Sequence, residues 1–275
     1  MGHVSVDDLR FHYEFSGAGE PVVLVHGSWD DLRGWDALVP HLAGRFRVLG
    51  YDRRGHGGSD RPPGQGRMSE DVADLAALLE RLEHAPAHVV GHSYGATIAL
   101  SLAADRPELC RSLVVHEPPL FALLAGTDAQ PLFDEVRRRM GRVVELLEAG
   151  EDERATELFV DEVGFGPGTW EQVLDSVQRR TFVTHADTWL DQARDPDRLA
   201  LGIDRLGGIR VPTLITRGDL GLPWYGPVME ILTRSIPGVR SRTIAGCGHA
   251  PHLTQPERFA SAIAEAAIRS AATPG

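Results

Sequence analysis

The chain has 275 residues, of which 42% are hydrophobic and 24% charged, and its formal net charge is −11 at pH 7. This size and composition suit one large globular α/β domain, or a core with an insertion, that needs no disulfide or metal to fold. The acidic balance argues against nucleic acid and anionic membranes as partners, because both would repel the chain.

Short apolar runs alternate with helical patterns along the chain, which favours a mostly parallel sheet covered by helices on both faces. The run 21–25 is continuously apolar, as expected of a strand buried on both faces. The last run, 239–244, alternates with arginines and suits a place near the edge of the sheet. The predicted strands, in chain order, are residues 12–15, 21–25, 46–51, 87–90, 112–115, 213–216 and 239–244.

Three helices are predicted between these strands. The first is capped by Ser69 and carries acidic residues in its first turns, with apolar positions at helical spacing as far as Leu82. The second, residues 94–104, is rich in Ala and Leu. The third covers residues 257–271 and follows Pro256, which suits the first turn of a helix.

The interval 118–205 breaks this alternation, because it contains helical patterns and no convincing strand. Nearly ninety residues of helix between two strands are typical of a lid and not of a continued sheet. We therefore predict a core domain formed by residues 1–117 and 206–275, with a helical cap formed by residues 118–205.

The segment Gly91-His92-Ser93-Tyr94-Gly95 follows a predicted strand and precedes a predicted helix, which is the context that a G-x-S-x-G nucleophile elbow requires. The sharp turn leaves room only for small residues two before and two after the serine. It would hold the Ser93 hydroxyl clear of the sheet, with the Tyr94 backbone N–H directed at a developing oxyanion.

Two further glycine-bearing loops follow strands. In His26-Gly27-Ser28-Trp29, the backbone N–H of Ser28 is our choice for the second oxyanion donor. The loop from Asp52 to Asp60 lacks both the lysine of a P-loop and the spacing of a dinucleotide fingerprint, so we interpret it as a structural loop.

A serine nucleophile needs a base and an orienting carboxylate. His249 lies in a glycine-rich loop between the last strand and the last helix, and we prefer it over His252 as the base. Two carboxylates compete for the third role. Asp219 follows the strand 213–216, and Glu117 follows the strand 112–115.

These segments together resemble the α/β-hydrolase fold superfamily over nearly the whole chain. The resemblance implies an eight-stranded, mostly parallel sheet with a helical cap between strands six and seven. It also implies Ser93 as nucleophile, His249 as base, and an oxyanion hole from Ser28 and Tyr94.

The chain departs from the family pattern at the acid. Members usually place an Asp three residues after the glycine that ends the seventh strand, and here that position is Gly221. Some members, such as zearalenone lactone hydrolase and some haloalkane dehalogenases, place the acid after the sixth strand, and the segment around Glu117 is similar to theirs. We therefore favour Glu117 over Asp219.

A serine nucleophile indicates attack on a carbonyl, because members that open carbon–halogen bonds or epoxides use an aspartate there. We expect hydrolysis of an ester or lactone. The alternatives are a ligand-binding protein without catalysis, which the missing acid at position 221 favours, and a cofactor-free perhydrolase or haloperoxidase. Aromatic residues of the cap suit a fairly large apolar substrate, and Trp189 and Trp224 are our candidates for substrate contact.

Other signals bear on cofactors and location. Cys110 and Cys247 lie far apart without a motif, which predicts free thiols in a reducing compartment. The first ten residues lack an apolar secretory core, and no stretch approaches the ~18 apolar residues of a membrane span. We expect a cytoplasmic protein that acts on a small molecule without a cofactor or metal. No interface signature fixes the oligomeric state, so a homodimer remains open.

Overall fold

The computed structural model describes residues 1–196 and 201–271, and its strands form an eight-stranded sheet. The first two strands pair antiparallel and β2 pairs antiparallel with β4, whereas every neighbouring pair from β4 to β8 is parallel. The spatial order is β1-β2-β4-β3-β5-β6-β7-β8. The strands are β1 (Gly2–Val6), β2 (Leu9–Ser16), β3 (Glu20–Val25), β4 (Phe46–Tyr51), β5 (Ala87–His92), β6 (Cys110–His116), β7 (Thr213–Gly218) and β8 (Arg240–Ile244).

Helices cover both faces of this sheet, and the predicted α/β-hydrolase architecture is confirmed. The helices are α1 (Val39–Ala43), α2 (Met68–Arg81), α3 (Tyr94–Asp105), α4 (Gln130–Glu148), α5 (Asp152–Phe159), α6 (Thr169–Gln172), α7 (Ser176–Thr184), α8 (Ala186–Arg194), α9 (Ile203–Gly207), α10 (Tyr225–Ser235), α11 (Pro251–Thr254) and α12 (Pro256–Ala271). Within the described residues, none of them is both long and apolar enough to cross a bilayer.

The apolar run in β3 divides its side chains between the two faces, because alternate residues of a strand point in opposite directions. Val23 and Val25 join the cluster that includes α2 and α3, and Val22 and Leu24 join the cluster that includes α12. All four are fully buried. The central position of this strand explains why its sequence shows no polar alternation.

Two details differ from the sequence predictions. The strand β1 was not predicted, because its alternating residues, exposed at His3 and Ser5, form only the outer half of an edge hairpin. Ser69 was predicted to cap α2, but the helix already begins at Met68. The residue before it is Arg67, whose backbone N–H donates to the carboxylate of Glu70 at 2.9 Å.

The chain between β6 and β7 is helical throughout its regular parts and, in residues 117–196 and 201–212, contains no strand. It runs from a short 3₁₀ turn at Phe121–Leu124 through α4 to α9, with a π-helical turn at Val160–Gly164 after α5. We call residues 118–205 the helical insertion. Its predicted end at residue 205 falls inside α9, which contacts α3 and α10 of the core.

Candidate active site

The turn after β5 places Ser93 in a conformation that few non-glycine residues adopt, with φ of 53° and ψ of −122°. A side chain at Gly91 would bring its Cβ within 2.5 Å of the Gly95 carbonyl oxygen. A Cβ at Gly95 would lie 2.2 Å from the Val25 carbonyl oxygen. Both glycines are therefore required for α3 to begin directly after the serine and pack onto the sheet.

The carboxylate of Glu117 lies against His249. Its Oε2 accepts a hydrogen bond from His249 Nδ1 at 2.7 Å, and its Oε1 accepts one from the Gly218 backbone N–H at 2.9 Å. Burial acts to raise the pKa of Glu117, but nearby His116 and these two hydrogen bonds outweigh burial and lower the pKa below its ordinary value. The arrangement keeps an ionised carboxylate on the far side of the imidazole.

Asp219, the competing acid, lies elsewhere. Its Oδ1 accepts hydrogen bonds from the backbone N–H groups of Gly246 at 2.8 Å and Cys247 at 3.3 Å. Asp219 therefore fixes the loop that carries His249. The family's usual acid position, Gly221, borders the Glu117 carboxylate, and a Cβ there would lie 2.9 Å from Glu117 Oε1. The structure thus brings Glu117, and not Asp219, to the histidine.

Two aromatic rings pack against the His249 ring, and its backbone is also bound. Tyr225 stacks on it with ring centroids 4.8 Å apart and an interplanar angle of 15°, and Phe165 meets it edge-on at 4.9 Å. His92 Nε2 donates to the His249 carbonyl oxygen at 2.7 Å, which gives the elbow histidine a structural role. Among the described residues, His249 Nε2 has no hydrogen-bond partner, and none joins it to Ser93.

The loop after β3 approaches the elbow closely. A Cβ at Gly27 would lie 3.1 Å from the Cβ of Ser93, so a side chain here would push the two loops apart by a few tenths of an ångström. The buried Arg53 donates to the Gly27 carbonyl oxygen at 3.0 Å and pairs with Asp71 at 3.1 Å. Ser28, which follows Gly27 in this loop, donates a hydrogen bond from its side-chain hydroxyl to Gln192 Oε1 of the helical insertion at 2.5 Å.

A small cavity of about 50 Å³, partly open to solvent, lies beneath the helical insertion and reaches Ser93. The core supplies its polar side, with Ser28, Tyr94 and Thr97, whereas the insertion supplies mostly apolar side chains. None of the lining residues is charged. The cavity is lined by Ser28, Ser93, Tyr94, Thr97, Pro119, Phe121, Met140, Phe159, Val163, Trp189, Gln192 and Tyr225.

The family follows from a comparison with known proteins. The model of the alpha/beta hydrolase fold family matches residues 20–256. This chain belongs to that family. Most of its named relatives are hydrolases, although two are acetyltransferase components of an acetoin cleaving system. We refer to the chain below as the hydrolase.

Of the similar proteins described here, two match nearly the whole of the hydrolase and one matches about half of it. RutD of Azorhizobium caulinodans, named for carbamate hydrolysis, is 29% identical over 94% of this chain and 95% of its own length. The 2-hydroxymuconate semialdehyde hydrolase of Pseudomonas sp. strain CF600 is 37% identical over 47% of this chain and 50% of its own. The crystal structure of an alpha/beta hydrolase from Sphaerobacter thermophilus matches with a TM-score of 0.80 and 30% identity, over 96% of this chain and 99% of that one.

Of the two tryptophans predicted to contact substrate, only Trp189 lines the cavity of the hydrolase, where it stacks on Trp29 at 5.5 Å. Trp224 lies outside the cavity wall. It is buried beside Phe121, with the Arg139 guanidinium 5.6 Å from its ring centroid. The prediction for Trp224 is wrong because the packing at the start of α10 turns Tyr225, and not Trp224, toward the cavity.

Sequence reasoning also missed two polar residues of the cavity wall. Thr97 lies in the first turn of α3, the helix that begins directly after Ser93, and this closeness to the elbow is the signal that could have found it. Gln192 carried no motif. Its only signal is its spacing from His185 and Thr188, which also contact the core.

One side-chain cluster among the described residues has the spacing of a metal site. Ligand atoms of His116, Glu117 and His249 lie within 4.8 Å of one another. However, Glu117 and His249 are already joined by a direct 2.7 Å hydrogen bond, which an ion between them would have to break. The donor set fits a hydrogen-bonded pair better than a metal centre.

Proposed function

We propose that this hydrolase cleaves an ester or lactone of a small molecule with a neutral, apolar acyl group, through an acyl-enzyme on Ser93. The observation that carries the proposal is the pairing of a strained serine elbow, open to an uncharged cavity, with a histidine already oriented by a carboxylate. We further propose that residues 118–205 act as the cap over this cavity.

The proposed mechanism assigns one step to each group. Ser93 Oγ attacks the substrate carbonyl carbon while His249 Nε2 accepts its proton. Glu117 holds Nδ1 and stabilises the imidazolium that results. The backbone N–H groups of Ser28 and Tyr94 bind the oxyanion, and His249 then protonates the leaving oxygen. Water repeats the sequence on the acyl-enzyme and releases the acid.

The composition of the cavity wall supports the proposal that the substrate is neutral. A carboxylate on the substrate would need a cationic or multiply donating partner in so buried a site, and none of the lining residues is basic. Aromatic and aliphatic side chains such as Phe159, Val163 and Trp189 offer apolar contact instead. Carbonyl attack by serine then favours esters and lactones.

The test is Ser93→Ala, assayed with p-nitrophenyl esters of increasing chain length and with aromatic and macrocyclic lactones. We expect kcat to fall by at least about 10⁴-fold, because the nucleophile is removed. Ser101→Ala, a buried serine two turns further along α3, is the matched control and should retain activity. Undiminished turnover by Ser93→Ala would refute the proposal. Failure of a fluorophosphonate to label Ser93 would instead favour ligand binding without catalysis.

A further inference from the structure

The Gly27 carbonyl oxygen receives two hydrogen bonds inside the protein. Arg53 Nη2 donates to it at 3.0 Å, and His26 Nδ1 lies 2.9 Å from it. The Arg53 backbone N–H donates to His26 Nε2 at 3.0 Å, so the proton of a neutral imidazole is on Nδ1, which also donates to Gly27. Burial lowers the pKa of His26 well below its ordinary value, with nearby Arg53 adding to the effect, and the ring is therefore neutral.

These two bonds act on the peptide group that joins Gly27 to Ser28. The Gly27 carbonyl and the Ser28 N–H belong to one planar trans unit and point in opposite directions, so fixing the oxygen also fixes the N–H. A cation that donates to the oxygen also strengthens the N–H as a donor, because linked hydrogen bonds polarise one another. Within the described part of the chain, the Ser28 N–H has no acceptor, which leaves it for an oxyanion.

Other groups hold Arg53 at this peptide. The side chain is buried, its Nη1 pairs with Asp71 at 3.1 Å, and its Nη2 also donates to His56 Nε2 at 3.2 Å. Its guanidinium carbon lies 5.1 Å from the ring centroid of Tyr94. Since Tyr94 carries the other proposed oxyanion donor, one buried cation contacts the two segments that would form the oxyanion hole.

We propose that Arg53 is a positioning residue that orients and polarises the Gly27–Ser28 peptide and thereby strengthens the oxyanion hole. This inference rests on the proposed function. Loss of Arg53 should affect the transition state more than substrate binding, because the negative charge develops only there. We expect kcat to fall by about 10- to 100-fold with little change in KM, which is less than the ~10²- to 10³-fold for deleting a donor outright.

Two matched double variants test this role. Arg53→Met with Asp71→Asn removes the guanidinium without leaving a buried carboxylate unpaired. Arg54→Met with Asp74→Asn is the control, because that pair joins the same loop to α2 at 2.6 Å and makes no hydrogen bond to Gly27. We expect the first variant to lower kcat and the control to keep the wild-type value.

A p-nitrophenyl ester and its thionoester, in which sulfur replaces the carbonyl oxygen, give the deciding readout. Sulfur is a weak hydrogen-bond acceptor, so the oxyanion hole favours the ester over the thionoester. We expect the ratio of their kcat/KM values to fall by about 5- to 10-fold in the Arg53 variant and to stay unchanged in the control. A purely structural ion pair would slow both substrates alike.

The outcomes separate this inference from the function on which it rests. A folded Arg53 variant that keeps the wild-type ratio would show that the inference is wrong. His26→Phe is a second variant, which removes the other donor to the Gly27 oxygen and should lower the ratio by about 2- to 5-fold. An unchanged ratio in folded His26→Phe would equally overturn the inference. If Ser93→Ala still cleaves the ester, the proposed function itself is wrong.

Discussion

Glu117 and Ser93 are both held in the left-handed region of backbone conformation, with φ of 44° and 53°. Non-glycine residues in such regions cost of order 1–3 kcal/mol each and persist where their surroundings fix them. Here the fixing contacts are visible for Glu117, because both of its oxygens are engaged, by Gly218 and by His249. The strain therefore lies at the ends of β5 and β6, where it aims the two side chains at the cavity and the histidine.

The two candidate acids are distinguished by matched substitutions. We expect Glu117→Gln to lower kcat by roughly 10³- to 10⁴-fold, because a neutral amide cannot stabilise the imidazolium. Asp219→Asn should retain most of the activity, since its Oδ1 can still accept from the Gly246 and Cys247 N–H groups. Steady-state kinetics with one p-nitrophenyl ester decides between them. A larger loss for Asp219→Asn would reverse the assignment.

At the residue scale, the sequence could predict which loops carry the site. Ser93 and Glu117 each come directly after a strand, and His249 lies in the loop after the last strand. The sequence could not predict which of two adjacent aromatic residues faces the cavity. α10 begins at Tyr225, and its rotation about the helix axis turns Tyr225 toward the cavity and Trp224 away from it. That rotation is set by packing against Phe121 and other residues distant in sequence.

At the scale of elements, α8 connects the helical insertion to the core through polar contacts from one face. His185, just before the helix, meets the Trp29 carbonyl oxygen at 3.1 Å. Thr188 lies 3.1 Å from His56 Nε2, and Gln192 accepts from Ser28. The spacing of three and four residues places these side chains on one helical face. Because these contacts are hydrogen bonds, the insertion and the loop after β3 are positioned together.

The contact between Gln192 and Ser28 can be tested by a double-mutant cycle. We expect Gln192→Ala and Ser28→Ala each to lower kcat/KM by about 3- to 10-fold, because each removes the same hydrogen bond while sparing the Ser28 backbone N–H. The double variant should lose no more than either single one. Arg194→Ala, at the exposed end of α8, serves as the control. Independent, multiplicative losses would show that the two residues act separately.

The pattern of elements shows why sequence reasoning succeeded for the core and was weaker elsewhere. Buried strands such as β3 and β5 read as apolar runs, and their order fixes the α/β class. β1 has one side exposed and only five residues, so its alternation is too short to stand out. The start of α2 escaped notice because the residue before the helix is Arg67, which is not a typical capping residue, and its backbone N–H is bound by the Glu70 carboxylate.

At the scale of the whole molecule, the fold buries several ionisable groups outside the proposed triad. Burial raises the pKa of Asp30 to about 8, with neighbouring Asp31 adding to the effect, and lowers the pKa of His252 to about 3. Asp30 Oδ2 lies 4.0 Å from His252 Nε2. Both groups are therefore uncharged at neutral pH, and together they form a neutral buried pair beneath the elbow histidine, His92, whose ring centroid is 4.4 Å from that of His252.

A pH dependence of stability follows for Asp30. The unfolded chain loses this proton near pH 4 and the folded chain near pH 8, so in between the folded state binds more protons. Its contribution to stability thus falls as the pH rises through that window and is constant above it. Buried histidines with lowered pKa values act oppositely, up to about one pH unit above 6.5, because the unfolded chain is still partly protonated there. This histidine contribution is common to the wild type and to a variant of Asp30, so the difference between the two proteins isolates the Asp30 effect.

Asp30→Asn should remove this dependence while keeping the hydrogen bond from the Asp31 N–H, which is 2.9 Å long in the wild type. Melting temperatures at pH 6.5 and 8.5 provide the measurement. Over this range we expect the melting temperature of the wild type to fall relative to that of the variant. The expected fall is about 2–4 °C for each kcal/mol of lost stability in a domain of this size. Parallel changes of melting temperature in the two proteins would place the Asp30 pKa outside the window.

The Cβ position at Gly221, 2.9 Å from Glu117 Oε1, restricts how the acid can move between strands during evolution. An aspartate at 221 and Glu117 in its present position would compete for one space, so a side chain at 221 requires the Glu117 carboxylate to move away. We therefore expect relatives with an acid at the position of Gly221 to lack a carboxylate at the position of Glu117, or to direct it elsewhere.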